Sequence, residues 1–242
     1  MFGAGILLAA TQVLVTVLDP LTGLRLAGLG PGDFVVTGGV ESVRVADRPV
    51  AVLFLVDSSA AGEVVRTTAE RFIGEMAASD RMGLMTFGRS ASLVKAFTTD
   101  KGALRQALAG VSYGGDPRML DGLASGLGAS FPAGDFRKVI VLLTAGIEGP
   151  SRTPESAVIR AAREKGIAIY PVYLHGSGRW VFPDIARETG GAPFWLREAG
   201  SVTGIWDTIR RPYLLTLHRA GGMIKTNSRE KTFVSSLPLA ID

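Results

Sequence analysis

The sequence predicts an α/β fold, a doubly wound and mostly parallel sheet with a small β-rich flank. Residues 50–56 and 139–143 are unbroken apolar runs, which are typical of central strands covered by helices on both faces. Strand-like and helix-like segments alternate between residues 50 and 212, and this order favours a parallel sheet with right-handed crossovers. The segments 1–49 and 213–242 are β-like and cannot bury their apolar faces alone, so we expect them to pair with each other.

The first 49 residues predict strands and turns. Valines at every second position indicate a strand over 13–18. Segments 34–36 and 40–45 flank Gly38 and Gly39, and glycine supplies the positive φ of a tight turn, so the pattern predicts a hairpin here.

Residues 50–212 predict the α/β domain. Asp100 is expected to cap a short helix over 101–108. The remaining elements follow from periodicity and apolar runs: strands at 50–56, 82–87, 91–97, 138–144, 167–174 and 194–196, and helices after Ser59, near 119–130, at 154–164 and around 181–189. The later segments 213–218 and 231–240 are candidate strands of the flank.

The predicted ligand edge of this sheet follows from its topology. Ligands of open parallel sheets bind beyond the carboxyl ends of the strands. Asp57 ends the first apolar run, the loop 114–117 precedes a helix, and Ala145 follows the second run. We therefore expect these three loops to share one edge.

Composition excludes several functional classes. The chain has no cysteine, which excludes thiol nucleophiles and disulfides, and His175 and His218 alone cannot form a multi-histidine metal site. The net charge is +4 and the pI about 9.6, but the basic residues are scattered, whereas a nucleic-acid reader shows a clustered basic face. We expect no nucleic-acid partner.

The apolar N-terminus does not predict a membrane span. A signal peptide carries basic residues before its apolar run. Residues 1–18 contain no Lys or Arg before the apolar run. Thr11, Gln12 and Thr16 interrupt that run well before the roughly 20 residues that a spanning helix needs.

Several motifs in order resemble a known family. The segments 52–59, 83–87, 114–115 and 139–146 are similar to successive landmarks of a von Willebrand factor type A domain, a Rossmann-like fold. Leu29-Gly30-x-x-Asp33-Phe34, Phe97-Thr98-x-Asp100, Ala186-x-x-Thr189-Gly190-Gly191 and Tyr213-Leu214-Leu215 resemble the bacterial "VWFA-related" group, in which a β-segment precedes the domain. This resemblance implies a protein-binding or adhesion domain that is exported, to the periplasm or the exterior.

The resemblance also implies a metal-ion-dependent adhesion site, and this sequence departs from its pattern. The family's first loop reads Asp-x-Ser-x-Ser. Asp57 and Ser59 match it, but Ala61 replaces the second serine. The second loop has Asp116 or Pro117 where threonine is expected, and Ala145 replaces the aspartate of the third loop. We therefore favour a degenerate site with no obligate cofactor.

Two interpretations of the remaining polar groups stay open. Asp57, Ser59 and Asp116 could hold a weak Mg²⁺ site, with Glu148 leaning in, because Mg²⁺ binds through one or two carboxylates plus waters. The favoured interpretation is that Asp57 and Ser59 cap the helix that follows, where exposed N–H groups and the helix dipole favour an acidic side chain.

The sequence thus predicts a non-enzymatic module that binds a protein partner at the carboxyl edge of the sheet. The predicted partner-binding residues are Asp57, Ser58, Ser59, Asp116, Arg118 and Glu148. Arg118 is expected to meet a carboxylate of the partner. A hydrolase using Ser112 or Ser177 with His175 is disfavoured, because the G-x-S-x-G match at 110–114 follows a predicted helix rather than a strand.

Overall fold

The computed structural model describes residues 11–19, 21–59, 62–174, 183–196, 201–219, 222–227 and 232–239. The strands within these described residues are, in chain order, β1 Thr11–Leu18, β2 Phe34–Val35, β3 Val40–Val45, β4 Val50–Asp57, β5 Arg81–Phe87, β6 Ala91–Thr98, β7 Arg137–Thr144, β8 Ile167–Tyr173, β9 Phe194–Trp195, β10 Tyr213–Leu217, β11 Lys225–Thr226 and β12 Phe233–Pro238. The helices are α1 Gly62–Glu75, α2 Lys101–Ala109, α3 Met119–Leu127, α4 Glu155–Glu164, α5 Pro183–Glu188 and α6 Ser201–Arg210.

A six-stranded sheet in the order β6-β5-β4-β7-β8-β9 forms the centre of the molecule. All neighbours pair in parallel except β5 and β6, which are antiparallel. The two longest apolar runs, β4 and β7, lie side by side. This arrangement confirms the predicted mostly parallel α/β sheet.

Helices cover both faces of this sheet because alternate strand residues point to opposite sides. Val52, Phe54 and Val56 pack with residues of α1 and α6 in one core cluster. Leu53 and Leu55 pack with residues of α3 and α4 in a second. The expected cap of α2 is present, since Asp100 accepts from the backbone N–H of Ala103 at 3.0 Å.

The terminal segments form the expected β-rich flank. A four-stranded antiparallel sheet has the order β12-β1-β10-β3, so it joins strands from both ends of the chain. Its core includes Val15, Phe34 and Leu215, all buried. None of the helices among the described residues has the length and apolarity needed to cross a membrane.

The predicted hairpin around Gly38 and Gly39 is wrong. A turn forms, with φ of +111° and +75° at the two glycines, but the strands beside it do not pair with each other. β3 pairs with β10, and β2 pairs with β11. The physical reason is tertiary: β3 gains more by burying Val43 and Val45 against the flank core than local turn chemistry offers.

A small set of close contacts joins the flank to the α/β unit. Gly190 and Gly191 lie between α5 and β9, and their carbonyls accept from Thr16 of β1 at 3.1 Å and from Ser235 of β12. A side chain at Gly190 would place its Cβ 2.5 Å from the Cβ of Leu237 in β12. The glycine pair therefore permits the close approach of the two units.

Candidate partner-binding edge

Asp57 lies at the carboxyl end of β4, in the middle of the sheet, and is fully buried. Its Oδ1 accepts from the backbone N–H of Ser59 at 2.9 Å and from the Ser59 hydroxyl. Its Oδ2 accepts from Thr144 Oγ1 at 2.9 Å and from the N–H of Ala145 at 3.3 Å. Each oxygen is thus engaged by two donors of this chain, as a buried carboxylate requires.

Ser58 ties the first loop to its neighbours. Its hydroxyl and its N–H both donate to the carbonyl of Phe87, at 2.9 and 2.8 Å. Its carbonyl accepts from Gly114 N–H at 2.6 Å. Gly114 has a φ of +139°, a conformation that favours glycine. The loops after β4 and β5 and the loop before α3 consequently form one connected surface.

Glu148, from the loop after β7, lies at the start of α3. Its Oε2 accepts from the N–H of Met119, the first residue of the helix, at 2.8 Å. The next residue, Gly149, donates to the carbonyl of Pro117 at 2.6 Å. An acidic side chain is favoured at a helix N-terminus because free N–H groups and the helix dipole are positive there.

Asp121, in the first turn of α3, anchors the segment that leads to α4. Its carboxylate accepts from the backbone N–H groups of Arg152 and Thr153 and from the Thr153 hydroxyl. Burial opposes ionisation, but these hydrogen bonds and the charge of Arg118 outweigh it, and the pKa of Asp121 is lowered.

The polar atoms at this edge that are buried and have no hydrogen-bond partner among the described residues include Arg118 Nε and Glu148 Oε1. Both side chains are half-buried, so part of each still reaches solvent. Asp116 differs, since its side chain is 65% exposed and its Oδ2 lies 3.8 Å from Nη2 of the equally open Arg89. An exposed pair of this kind contributes little stability.

The donors at this edge do not fit a divalent cation well. Alanine at positions 61 and 145 supplies no side-chain oxygen, and Asp116 turns to Arg89 at the surface. In the described residues, no group of three or more Asp, Glu or His side chains could hold a metal ion. Mg²⁺ demands a near-octahedral set of oxygens, and of the three candidate ligands Asp57, Ser59 and Asp116 only the first two lie together.

The structure brings the predicted residues to one edge in two groups. Asp57, Ser58 and Ser59 form the turn after β4, and Glu148 and Arg118 meet at the start of α3. Asp116 lies outside both groups. Sequence reasoning missed Thr144, Arg89 and Asp121. Thr144 ends β7, Arg89 lies in the turn after β5, and Asp121 lies in the first turn of α3, and this position at the carboxyl edge is the signal that could have identified them.

Asp57 joins its own turn to the end of the neighbouring strand. Its hydrogen bonds with described residues come from Ser59 and from Thr144 and Ala145. The predicted cap of α1 stays a prediction, because residues 60 and 61, which connect Ser59 to this helix, lie outside the described residues. The neighbouring strand end supplies Thr144 and Ala145 as donors, and only the parallel pairing of β4 with β7 places them there.

The serine motif considered for a hydrolase does not form a nucleophile elbow. Residues 110–114 follow α2 and lie in an irregular loop, whereas the elbow is a turn between a strand and a helix. The other two members of that alternative, His175 and Ser177, lie outside the described residues.

The comparison with protein families decides the identity of the fold. The model of the von Willebrand factor type A domain matches residues 51–186. The chain belongs to this family. Domains of this family are known for protein interaction and adhesion. No curated protein matches the sequence.

Solved structures of von Willebrand factor type A proteins share the fold. The chain is similar to BatB of Bacteroides thetaiotaomicron, with a TM-score of 0.56, 15% identity and coverage of 66% of this chain and 97% of the other. It is similar to the domain of the type V pilus tip protein Mfa5 of Porphyromonas gingivalis, with a TM-score of 0.54, 11% identity and coverage of 68% of this chain and 95% of the other. It is also similar to proximal thread matrix protein 1 of the mussel byssus, which has a zinc-occupied adhesion motif. The TM-score is 0.57, the identity is 14%, and the match covers 74% of this chain and 49% of the other.

Proposed function

We propose that this von Willebrand factor type A chain is a non-enzymatic module that binds a protein partner at the carboxyl edge of its central sheet, without an obligate metal. The partner-binding residues in this proposal are Asp57, Ser58, Ser59, Asp116, Arg118 and Glu148. Asp57 and Ser59 set the shape of the first loop, and Asp116, Arg118 and Glu148 contact the partner.

The observation that carries the proposal is the unused donor of Arg118. Its Nε is buried and lacks an acceptor among the described residues, and its side chain is only half-buried. A desolvated donor without an acceptor costs free energy, and an incoming carboxylate would remove that cost. Guanidinium groups bind carboxylates in a fixed, two-pronged geometry, so Arg118 would also orient the partner.

Independence from metal is supported by the hydrogen bonds of Asp57. Both carboxylate oxygens accept from donors of this chain, so the loop keeps its shape through protein contacts. The competing proposal is a Mg²⁺-dependent adhesion domain that uses Asp57, Ser59 and Asp116.

A thermal unfolding experiment separates these two proposals. The purified chain is heated with EDTA and with Mg²⁺ or Mn²⁺ at millimolar concentration. We expect the same melting temperature in all three. A ligand present at about 100 times its Kd stabilises a protein by about 2.7 kcal/mol, so a metal-dependent rise of several degrees that Asp57→Ala and Asp116→Ala remove would establish the Mg²⁺ alternative.

A second experiment tests the surface itself. A photo-crosslinking residue in place of Ile147, which is 63% exposed at this edge, captures candidate partners, and each purified candidate is titrated with the chain. We expect Arg118→Ala to weaken binding at least tenfold, about 1.4 kcal/mol, and Arg71→Ala, an exposed arginine on α1, to leave it unchanged. Equal affinity of the wild type and Arg118→Ala for every candidate would contradict the proposal.

A further inference from the structure

A cavity of about 150 Å³ lies at the opposite edge of the sheet, between the amino ends of the strands and the flank. It is lined by residues that precede β4 or begin β7 and β8, such as Arg48, Lys138 and Ala168. The other side of the cavity comes from the flank strands β1, β3, β10 and β12. This cavity is separate from the edge discussed above.

Basic side chains dominate the polar lining of the cavity. Among the thirteen described residues that line it, none is acidic and five are cationic: Arg44, Arg48, Arg137, Lys138 and Lys165. Such a concentration of one charge sign around a low-dielectric recess attracts anions.

Part of this charge is not neutralised by the protein. Arg44 and Lys138 are exposed and have no acidic partner among the described residues. Arg48 pairs with Asp135 at 3.0 Å, but both side chains are open to solvent, which makes the pair weak. Lys165 donates to the carbonyl of Leu127 at 2.7 Å, a neutral acceptor that leaves its charge in place.

The Arg137 guanidinium adds a buried positive charge to the wall. Arg137 is only 7% exposed, and its guanidinium donates to two neutral groups, the carbonyl of Ile209 and the Tyr170 hydroxyl. Burial lowers the pKa of Arg137, although Tyr170 and Asp80 oppose this shift. Within the described ranges no carboxylate forms an ion pair with it.

The floor of the cavity is apolar. Leu14, Ala46 and Leu214 are buried and pack with Leu239 in a cluster of their own, apart from the main cores. A dry apolar cavity of about 150 Å³ has room for a group the size of benzene. The recess therefore combines space for one small apolar group with cations at its open side.

We infer that this cavity binds a small apolar carboxylate, an acid that carries one ring or short chain, with the apolar group against Leu14, Ala46 and Leu214 and the carboxylate between Arg44 and Lys138. The two parts of the ligand match the two parts of the lining, because burying the apolar group gains free energy and the charged group stays at the solvent-facing rim. The inference does not depend on the proposed function of the carboxyl edge.

Isothermal titration calorimetry with simple acids tests the inference on the full chain. Benzoate and hexanoate are expected to bind with a Kd of about 1 mM or tighter. Benzamide, which has the ring without the charge, and acetate, which has the charge without the ring, are each expected to bind at least tenfold more weakly. The inference would be overturned if neither benzoate nor hexanoate saturated the chain, or if benzamide bound as tightly as benzoate.

Variants locate the binding. The double variant Arg44→Gln with Lys138→Gln is expected to weaken benzoate binding at least tenfold. The matched control, Arg71→Gln with Arg105→Gln, removes the same charge from exposed positions on α1 and α2 and is expected to keep the wild-type Kd. Ala46→Leu, which fills the recess, should abolish benzoate binding, and thermal unfolding verifies that each variant is folded. Unchanged affinity in either cavity variant contradicts the assignment.

Discussion

The two edges of the central sheet treat their charged groups in opposite ways. At the carboxyl edge, the buried Asp57 receives four hydrogen bonds from neighbouring loops, and Glu148 and Asp121 bind backbone N–H groups. At the amino edge, several cations surround a recess, and none of the described residues that line it is acidic. A residue is therefore not identified as a binding group by its position at the ligand edge of an α/β sheet alone. What matters is whether the protein itself already pairs the charge or the hydrogen-bond donor of that residue.

The largest expected effect concerns the contact that joins the flank to the sheet. Gly190→Ala would place a Cβ 2.5 Å from the Cβ of Leu237 in β12, at a position with a φ of +79°, so the flank strand would have to move away from the sheet. We expect a loss of more than about 4 kcal/mol in the free energy of unfolding, measured by urea denaturation. Gly32→Ala, with no atom within 4 Å of the new Cβ, is the control. A loss below about 1 kcal/mol would mean that the flank and the sheet are less tightly joined than the contact indicates.

A smaller but still large effect is expected at the carboxyl edge. Asp57→Ala leaves the Thr144 hydroxyl and the N–H groups of Ser59 and Ala145 without their acceptor. We expect a loss of about 3 kcal/mol by urea denaturation, because buried donors without partners retain their desolvation cost. Ser58→Ala should cost only about 1 kcal/mol, because the backbone N–H of residue 58 still donates to the carbonyl oxygen of Phe87. Equal effects of the two substitutions would show that Asp57 is not the organising group of this edge.

Thr16→Val tests one hydroxyl at the joint between the units. The substitution keeps the shape of a side chain that is 1% exposed and removes its hydrogen bond to the carbonyl of Gly190 and its longer one, at 3.5 Å, with the Tyr170 hydroxyl. We expect a loss of about 1 kcal/mol in the free energy of unfolding. Thr22→Val, in the exposed turn after β1, should change this quantity by less than about 0.5 kcal/mol. If Thr16→Val left the free energy of unfolding unchanged, apolar packing alone would hold the two units together.

The smallest expected effect has a pH dependence. The pKa of Asp121 is lowered in the folded chain, so its stabilisation is fully present above its unfolded pKa near 4 and is lost as the pH falls through the lower folded value. We expect Asp121→Asn to cost about 1 kcal/mol or less at pH 7, and the difference from the wild type to narrow below pH 4 in urea denaturation. If the difference in the free energy of unfolding between the wild type and Asp121→Asn became larger below pH 4, it would contradict the hydrogen bonds described for Asp121.

Much of the central sheet could be predicted from the sequence because its strands carry strong local signals. The apolar runs at 50–56 and 139–143 and the cap at Asp100 each report on nearest neighbours in the chain. The pairing of β3 with β10 could not be predicted in this way. Its partner lies about 170 residues away, and the local glycine turn indicated a different pairing.

The candidate site shows the same division. By itself, the sequence determined the residue types at the carboxyl edge, including the alanines at positions 61 and 145, which carry no side-chain oxygen, because composition needs no tertiary information. Only the tertiary structure decided that Thr144 and Ala145 donate to Asp57, that Glu148 binds the start of α3, and that five cations from distant segments surround one cavity. The physical reason is that hydrogen bonds and electric fields depend on distances in space, and parallel strand pairing brings together residues that the chain keeps far apart.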